Sequence, residues 1–232
     1  MRWPVVVTVS PQDPIRLGFA FSVLAYWTRH AQADVHVISI GYDPTPEARR
    51  LWEWCKDMRP DWYWLNLTAE GSQRERHIIA VEIAAKAGAR YVWSADDDVM
   101  PRPECDLDVA AALMDAHPEY AVVALDLPSC PLPHGADGGH SGPIVEAGGV
   151  GGLRALRVDA FRDFAWPAMD PRMGGRYDVT LCTAVRTMLG KKVGAFGDAA
   201  PRHLRAMHLG EYLSTFEWPY PVARSYPRRW DE

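Results

Sequence analysis

The sequence predicts an α/β fold built on a mainly parallel sheet, and three observations carry that expectation. Short apolar runs alternate with longer amphipathic segments from the N-terminus to about residue 125, the pattern of strands joined by helical crossovers. Pro, Gly and Asp cut these runs where a strand or helix has to stop. The chain has 232 residues, of which 48% are hydrophobic and 24% charged. That is enough apolar surface for a single domain with a sizeable core.

Val5–Ser10 reads as a buried strand closed by Pro11 and Pro14. Ile15–His30 follows as a helix, with Leu17, Phe21, Leu24, Ala25 and Thr28 near helical spacing. Asp34–Tyr42 is a second strand, stopped by Asp43 and Pro44. Thr45–Met58 is helical, with Thr45-Pro46-Glu47 as its start. Trp62–Leu67 is a third strand, Ser72–Ala87 a long helix ended by Gly88, and Tyr91–Ala95 a fourth strand. Asp106–His117 and Tyr120–Leu127 continue the alternation. From Pro128 to Gly152 the composition turns to Pro and Gly with little periodicity, the mark of a long functional loop. Leu153–Val158 then alternates like a strand, Asp178–Leu189 is a helix ended by Gly190, and Lys192–Phe196 is a short strand. The tail from Tyr212 is aromatic and proline-rich, with no clear element.

A net charge of −5 gives no global positive field for nucleic acid or an anionic membrane. The cysteines Cys55, Cys105, Cys130 and Cys182 are too scattered for a zinc site or a disulfide framework. The N-terminal apolar run is too short for a signal peptide, and no stretch reaches the roughly 18 apolar residues of a membrane span. These features predict a soluble, cytoplasmic protein. Ten Trp residues supply either core or flat faces for stacking, and 21 Arg outnumber 4 Lys.

The chemistry concentrates in Asp96, Asp97 and Asp98, directly after the apolar run Tyr91-Val92-Trp93-Ser94-Ala95. Acids ending a strand put negative charge at the carboxyl edge of the sheet, where open α/β folds bind ligands. In extended chain Asp96 and Asp98 point the same way while Asp97 faces elsewhere. Two converging carboxylates repel unless a cation sits between them, and a hard divalent ion, Mn²⁺ or Mg²⁺, suits such a pair.

The segment from Gly88 to Pro101 resembles the DxD region of nucleotide-sugar glycosyltransferases with the GT-A fold, especially family 2. Gly71 and Arg76, at the start of a helix running to Gly88, are similar to the family's Gly…Arg-Asn helix, with His77 in place of the Asn. Gly151-Gly152-Leu153, followed by Val158-Asp159-Ala160-Phe161, resembles its glycine-led strand and short helix. Arg176-Tyr177-Asp178 is similar to the Glu-Asp motif before a helix, with Tyr177 in place of the Glu. Ala206-Met207-His208-Leu209-Gly210 looks like the late His-x-Gly element. The motifs occur in the family's order from about Val5 to Gly210.

The resemblance implies a GT-A fold: one Rossmann-like domain over 1–232 with a mostly parallel mixed sheet, a nucleotide-sugar-binding half over 1–127 and an acceptor and catalytic half over 128–232. It implies a nucleoside-diphosphate-sugar donor, with a UDP-sugar favoured, whose diphosphate is bridged by a metal on Asp96 and Asp98. His208 is the implied third ligand, with His203 competing. Asp178 is the implied general base of an inverting transfer; a plain N-cap is its competing role. Donor contacts would come from Thr8, Ser10, Asp43, Arg76 and Asp96, although Arg76, beside Arg74 and Glu75, also reads as part of a solvated helix face. The acceptor is left open among a saccharide, a small molecule, a protein side chain and a modified DNA base. A related nucleotidyltransferase, a retaining transferase of the same fold and a non-catalytic nucleotide-sugar-binding module are the other readings.

Overall fold

Four adjacent parallel strands form the half of the sheet nearest the N-terminus. β1 (Trp3–Val9) lies between β2 (Ala33–Ile40) and β4 (Tyr91–Asp96), and β3 (Asp61–Leu65) pairs with β2. The full order is β3-β2-β1-β4-β8-β6-β9-β7. Here β6 is Tyr120–Ala124, β7 Ile144–Glu146, β8 Leu153–Arg157 and β9 Lys192–Phe196. β7 and β8 run against the other strands. Two further strands, β5 (Val99–Pro101) and β10 (Ala206–His208), form a small antiparallel ribbon. The computed structural model describes residues 2–10, 14–40, 46–58, 60–65, 69–102, 105–125, 142–169, 177–197, 199–201, 204 and 206–209.

Alternation along the strands sorts side chains onto two faces. Trp3, Val5, Val7 and Val9 of β1 and Tyr91, Trp93 and Ala95 of β4 join one core. That core packs on α1 (Pro14–Trp27), α2 (Pro46–Cys55) and α4 (Leu107–Ala116). Val6 and Val92 point the other way, toward α3 (Ala69–Lys86) and α5 (Tyr177–Leu189). The face of α1 differs from the expected one: Phe19, Ala20, Val23, Leu24 and Trp27 are buried, while Leu17 and Phe21 are only partly covered. A helix apolar almost all round leaves its inward stripe to tertiary packing.

Helix ends follow local chemistry. Asp106 caps α4, its side chain accepting from the backbone N–H groups of Asp108 and Val109. Gly88 and Gly190, with φ of 66° and 60°, take the left-handed conformation that ends α3 and α5. Short 3₁₀ turns follow α2 at Lys56–Met58 and β8 at Val158–Phe161, the second being the short helix expected there. The three-residue strands β5, β7 and β10 were not expected. β7 falls inside the Pro128–Gly152 loop, whose residues 126–141 lie outside the described residues, as do the tail from Tyr212 and Cys130. Cys55, Cys105 and Cys182 are buried and form no disulfide. Among the described residues no helix is long and apolar enough to cross a membrane.

Candidate active site

β1 and β4 end together at the carboxyl edge, with Thr8 in register opposite Asp96. Asp96 follows Val92 and Ser94 at two-residue steps and so faces α3, where Arg76 Nη1 donates to its Oδ1 at 2.5 Å. β4 stops there. Asp97 and Asp98 form the turn into β5, so the extended geometry that would align Asp98 with Asp96 does not reach Asp98. Asp97 is only 1% exposed and turns toward α1. Its Oδ2 accepts the Ser10 backbone N–H at 2.7 Å, and its Oδ1 accepts Arg16 Nε at 3.1 Å and Nη2 at 2.5 Å. The same Arg16 Nη2 lies 3.5 Å from Asp98 Oδ2. Burial raises the Asp97 carboxyl to about 6, with Arg16 opposing and Asp98 adding to the rise.

Across the sheet the charge balance reverses. Asp178 lies in the first turn of α5 rather than before it, and its side chain turns to arginines instead of capping the helix. Arg154 Nη1 donates to Asp178 Oδ1 at 2.6 Å and to the Val150 carbonyl at 2.9 Å. Arg76 Nη2 reaches the same Oδ1 at 3.5 Å, so Arg76 bridges Asp178 and Asp96. Burial alone would raise the Asp178 carboxyl, but Arg154 and then Arg76 overcome it and hold the group at about 2. The solvated face considered for Arg76 is not what forms: its side chain is 5% exposed. His77, also buried, has Nδ1 2.7 Å from the Gln73 carbonyl. Burial, followed by Arg154 and Arg76, keeps its ring neutral.

Of the expected donor contacts, Thr8 is buried, and its hydroxyl has no partner among the described residues. Ser10 offers its backbone N–H to Asp97 rather than to open space. Asp43 and His203 lie outside the described residues. β10 places the His208 backbone opposite Val99, and the Leu209 N–H donates to the Asp98 carbonyl at 2.7 Å. His208 and Asp98 are therefore brought together along the backbone. Among the described residues no group of three His, Cys, Asp or Glu side chains is arranged to hold a metal. The Asp98 carboxylate, 31% exposed, is an oxygen donor of the kind Mn²⁺ or Mg²⁺ takes, and the His208 backbone lies beside it.

Two residues brought together at this edge were not singled out from the sequence, Arg16 and Arg154, and Asp97 was given no partner there. A signal for Arg154 was present, because it is a lone charge between apolar residues in the Leu153–Leu156 run. Arg76 carried one too: at steps of four, seven and eight it falls in line with Ala80, Ile83 and Ala84, all buried.

The chain's sequence matches no protein-family model and no curated protein. Its structure is similar to that of Staphylococcus aureus TarS. With TarS 1–349 in complex with UDP, the TM-score is 0.57 at 14% identity, over 86% of this chain and 59% of that one. With the same TarS segment in complex with UDP-GlcNAc, the TM-score is 0.53 at 14% identity, over 86% and 57%. The chain thus spans less than two thirds of this TarS segment. The likeness establishes the fold: a mixed α/β architecture on one central, mostly parallel sheet of the GT-A type.

Proposed function

We propose that this chain is a glycosyltransferase that moves a sugar from a nucleoside-diphosphate sugar, a UDP-sugar by preference, to an acceptor hydroxyl with inversion. The observation that carries the reading is the Asp178 carboxylate, held ionised by Arg154 and joined through Arg76 to Asp96 at the carboxyl edge. That edge is where an α/β sheet receives a nucleotide. TarS, of similar fold, has been seen with UDP and UDP-GlcNAc, which supports this donor class.

In this reading residues 1–127 hold the donor and residues 128–232 supply the acceptor side. Arg76 pairs with the diphosphate as it leaves, in place of its present contact with Asp96. Thr8 and Ser10 line the end of β1 beneath the nucleotide, and Asp43, outside the described residues, is the further donor contact proposed. Asp178 takes the proton of the acceptor hydroxyl as its oxygen attacks opposite the leaving group. A divalent ion, Mn²⁺ or Mg²⁺, held by Asp98 and His208 with Asp96 beside it, would supply Lewis-acid charge to the departing diphosphate. The acceptor is proposed only as a hydroxyl compound.

Thermal unfolding measured against a panel of UDP-, GDP- and dTDP-sugars, with and without Mn²⁺, tests this reading. UDP-sugars should raise the Tm most, and more with Mn²⁺ than without it. The proposal fails if no nucleotide sugar shifts the transition under either condition.

A further inference from the structure

We propose that Arg154 is a positioning residue of this site: by occupying Oδ1 of Asp178 it fixes the carboxylate in place and leaves Oδ2, on the Gly151 side, as the atom that receives the acceptor's proton. The proposal rests on Asp178 being the base.

The geometry separates the two carboxylate oxygens. Both guanidinium contacts, from Arg154 and from Arg76, fall on Oδ1. Oδ2 accepts no hydrogen bond among the described residues, and a Cβ placed on Gly151 would stand 3.5 Å from it. Asp178 is 29% exposed, so a small group can approach it from outside. Arg154 is itself anchored, because the Nη1 that holds Asp178 also donates to the Val150 carbonyl just before Gly151. One guanidinium thus ties the base to the glycine segment beside its open oxygen.

Stability alone is a poor account of Arg154. The side chain is fully buried, and its Nε and Nη2 have no partner among the described residues. Unpaired buried donors are costly, and buried ion pairs are often matched or bettered by apolar packing. Leu156, two residues along β8, joins the apolar core on this side of the sheet, so an apolar residue has a place there.

Among the described residues, the titratable and charged groups that act on Asp178 are Arg154 from β8, Arg76 and His77 from α3, and Tyr177 and Cys182 from α5 itself, with Asp96 of β4 acting on Arg154. His77 is neutral, and Arg76 is shared with Asp96 and, in the proposed reaction, with the diphosphate. Arg154 is therefore the cation that remains on Asp178 throughout a turnover. The acceptor O–H proton passes to Oδ2 while the oxygen's electron pair forms the new bond to the anomeric carbon. The diphosphate leaves with the electrons of the broken C–O bond, and the proton goes on to solvent. Arg154 favours that final loss because it stabilises the ionised carboxylate.

Carboxyl-carbon NMR on protein labelled with ¹³C-aspartate tests the assignment without any substrate, the Asp178 signal being identified by its loss in Asp178→Asn. In the wild-type protein Asp178 should titrate well below the ordinary carboxylate range. In Arg154→Met its midpoint should rise by about one pH unit or more, and Arg154→Lys should bring it back toward the wild-type value. If Met is not tolerated, Arg154→Gln carries the same measurement with a neutral side chain. A midpoint unchanged in the neutral variant overturns the proposal. Failure of the underlying reading looks different: Asp178→Asn would then transfer sugar at the wild-type rate while the NMR shift in Arg154→Met remained.

Discussion

Asp97 and Asp178 are both carboxylates on arginines near the carboxyl edge of the same sheet, yet they are driven in opposite directions. Asp97, toward α1, has one guanidinium and a neighbouring acid, and its burial prevails. Asp178, between α3 and β8, has two guanidiniums, and they prevail. Asp97 also has both oxygens engaged, by Ser10 and Arg16, whereas Asp178 has one oxygen engaged and one open. The count of cations decides the charge, and the count of engaged oxygens decides what the group can still do. Asp97 is built to hold a turn, whereas Asp178, in the proposed reading, takes a proton.

The largest test of that contrast is Asp178→Asn. Asn keeps an oxygen for Arg154 but cannot accept a proton, so the fold should persist while transfer falls by roughly a hundred- to ten-thousand-fold. Single-turnover assays with the donor identified by thermal shift read this, and a loss below tenfold would place the base elsewhere. Next in size is Asp97→Ala, which removes the nearer of the two acids on Arg16 and the acceptor from the Ser10 N–H. It should cost about 2–3 kcal/mol in urea denaturation, somewhat less than a fully buried pair because Arg16 is one-third exposed. A change under about 0.5 kcal/mol would show that Asp97 does not hold the turn.

The sequence made the scaffold readable and left the partnerships hidden. β1 and β4 show up as apolar runs, and Gly88 and Gly190 mark their helix ends, because these are local signals. β5, β7 and β10 have three residues each, too few for a period, and they exist only because distant segments pair. The same holds at the site. Asp96 and Asp178 stand out as acids at element ends, but their link through Arg76 depends on how α3 and α5 pack on the sheet. Arg154 is buried because β8 inserts between β4 and β6, a pairing no local pattern declares. Asp97 faces away from Asp96 as expected, but Asp98 does not align with Asp96, because alternation holds only while the chain stays extended and β4 ends at Asp96.

The pH dependence of stability sharpens the comparison, with an effect of about 2–3 kcal/mol at most for each group. For Asp97 the folded pKa, about 6, lies above the ordinary value of 3.8. Its stabilising contribution is full below 3.8 and is lost as pH rises through 6. For Asp178 the folded value, about 2, lies below 3.8. Its contribution is full above 3.8 and is lost as pH falls toward 2. Denaturant melts of metal-free wild type, Asp97→Asn and Asp178→Asn should show the two contributions disappearing in opposite directions. If both wild-type-minus-variant differences decline in the same direction, the two sites are not the opposites described here.

The smallest effect is expected at Gly151, and it isolates the open oxygen of Asp178. A methyl there would stand 3.5 Å from Oδ2, an ordinary contact, so Gly151→Ala should fold with a Tm close to wild type. Donor binding, which the proposed reading places on Arg76 and the end of β1, should not change. The methyl would occupy the space an incoming hydroxyl needs, and a misplacement of that kind slows transfer, here by about tenfold. Water is smaller than any sugar acceptor, so hydrolysis of the donor should be slowed less than transfer. The ratio of transfer to hydrolysis should therefore fall in Gly151→Ala with donor affinity intact. A ratio equal to that of the wild type would mean that the acceptor reaches Asp178 from another side, and Oδ2 would lose its role.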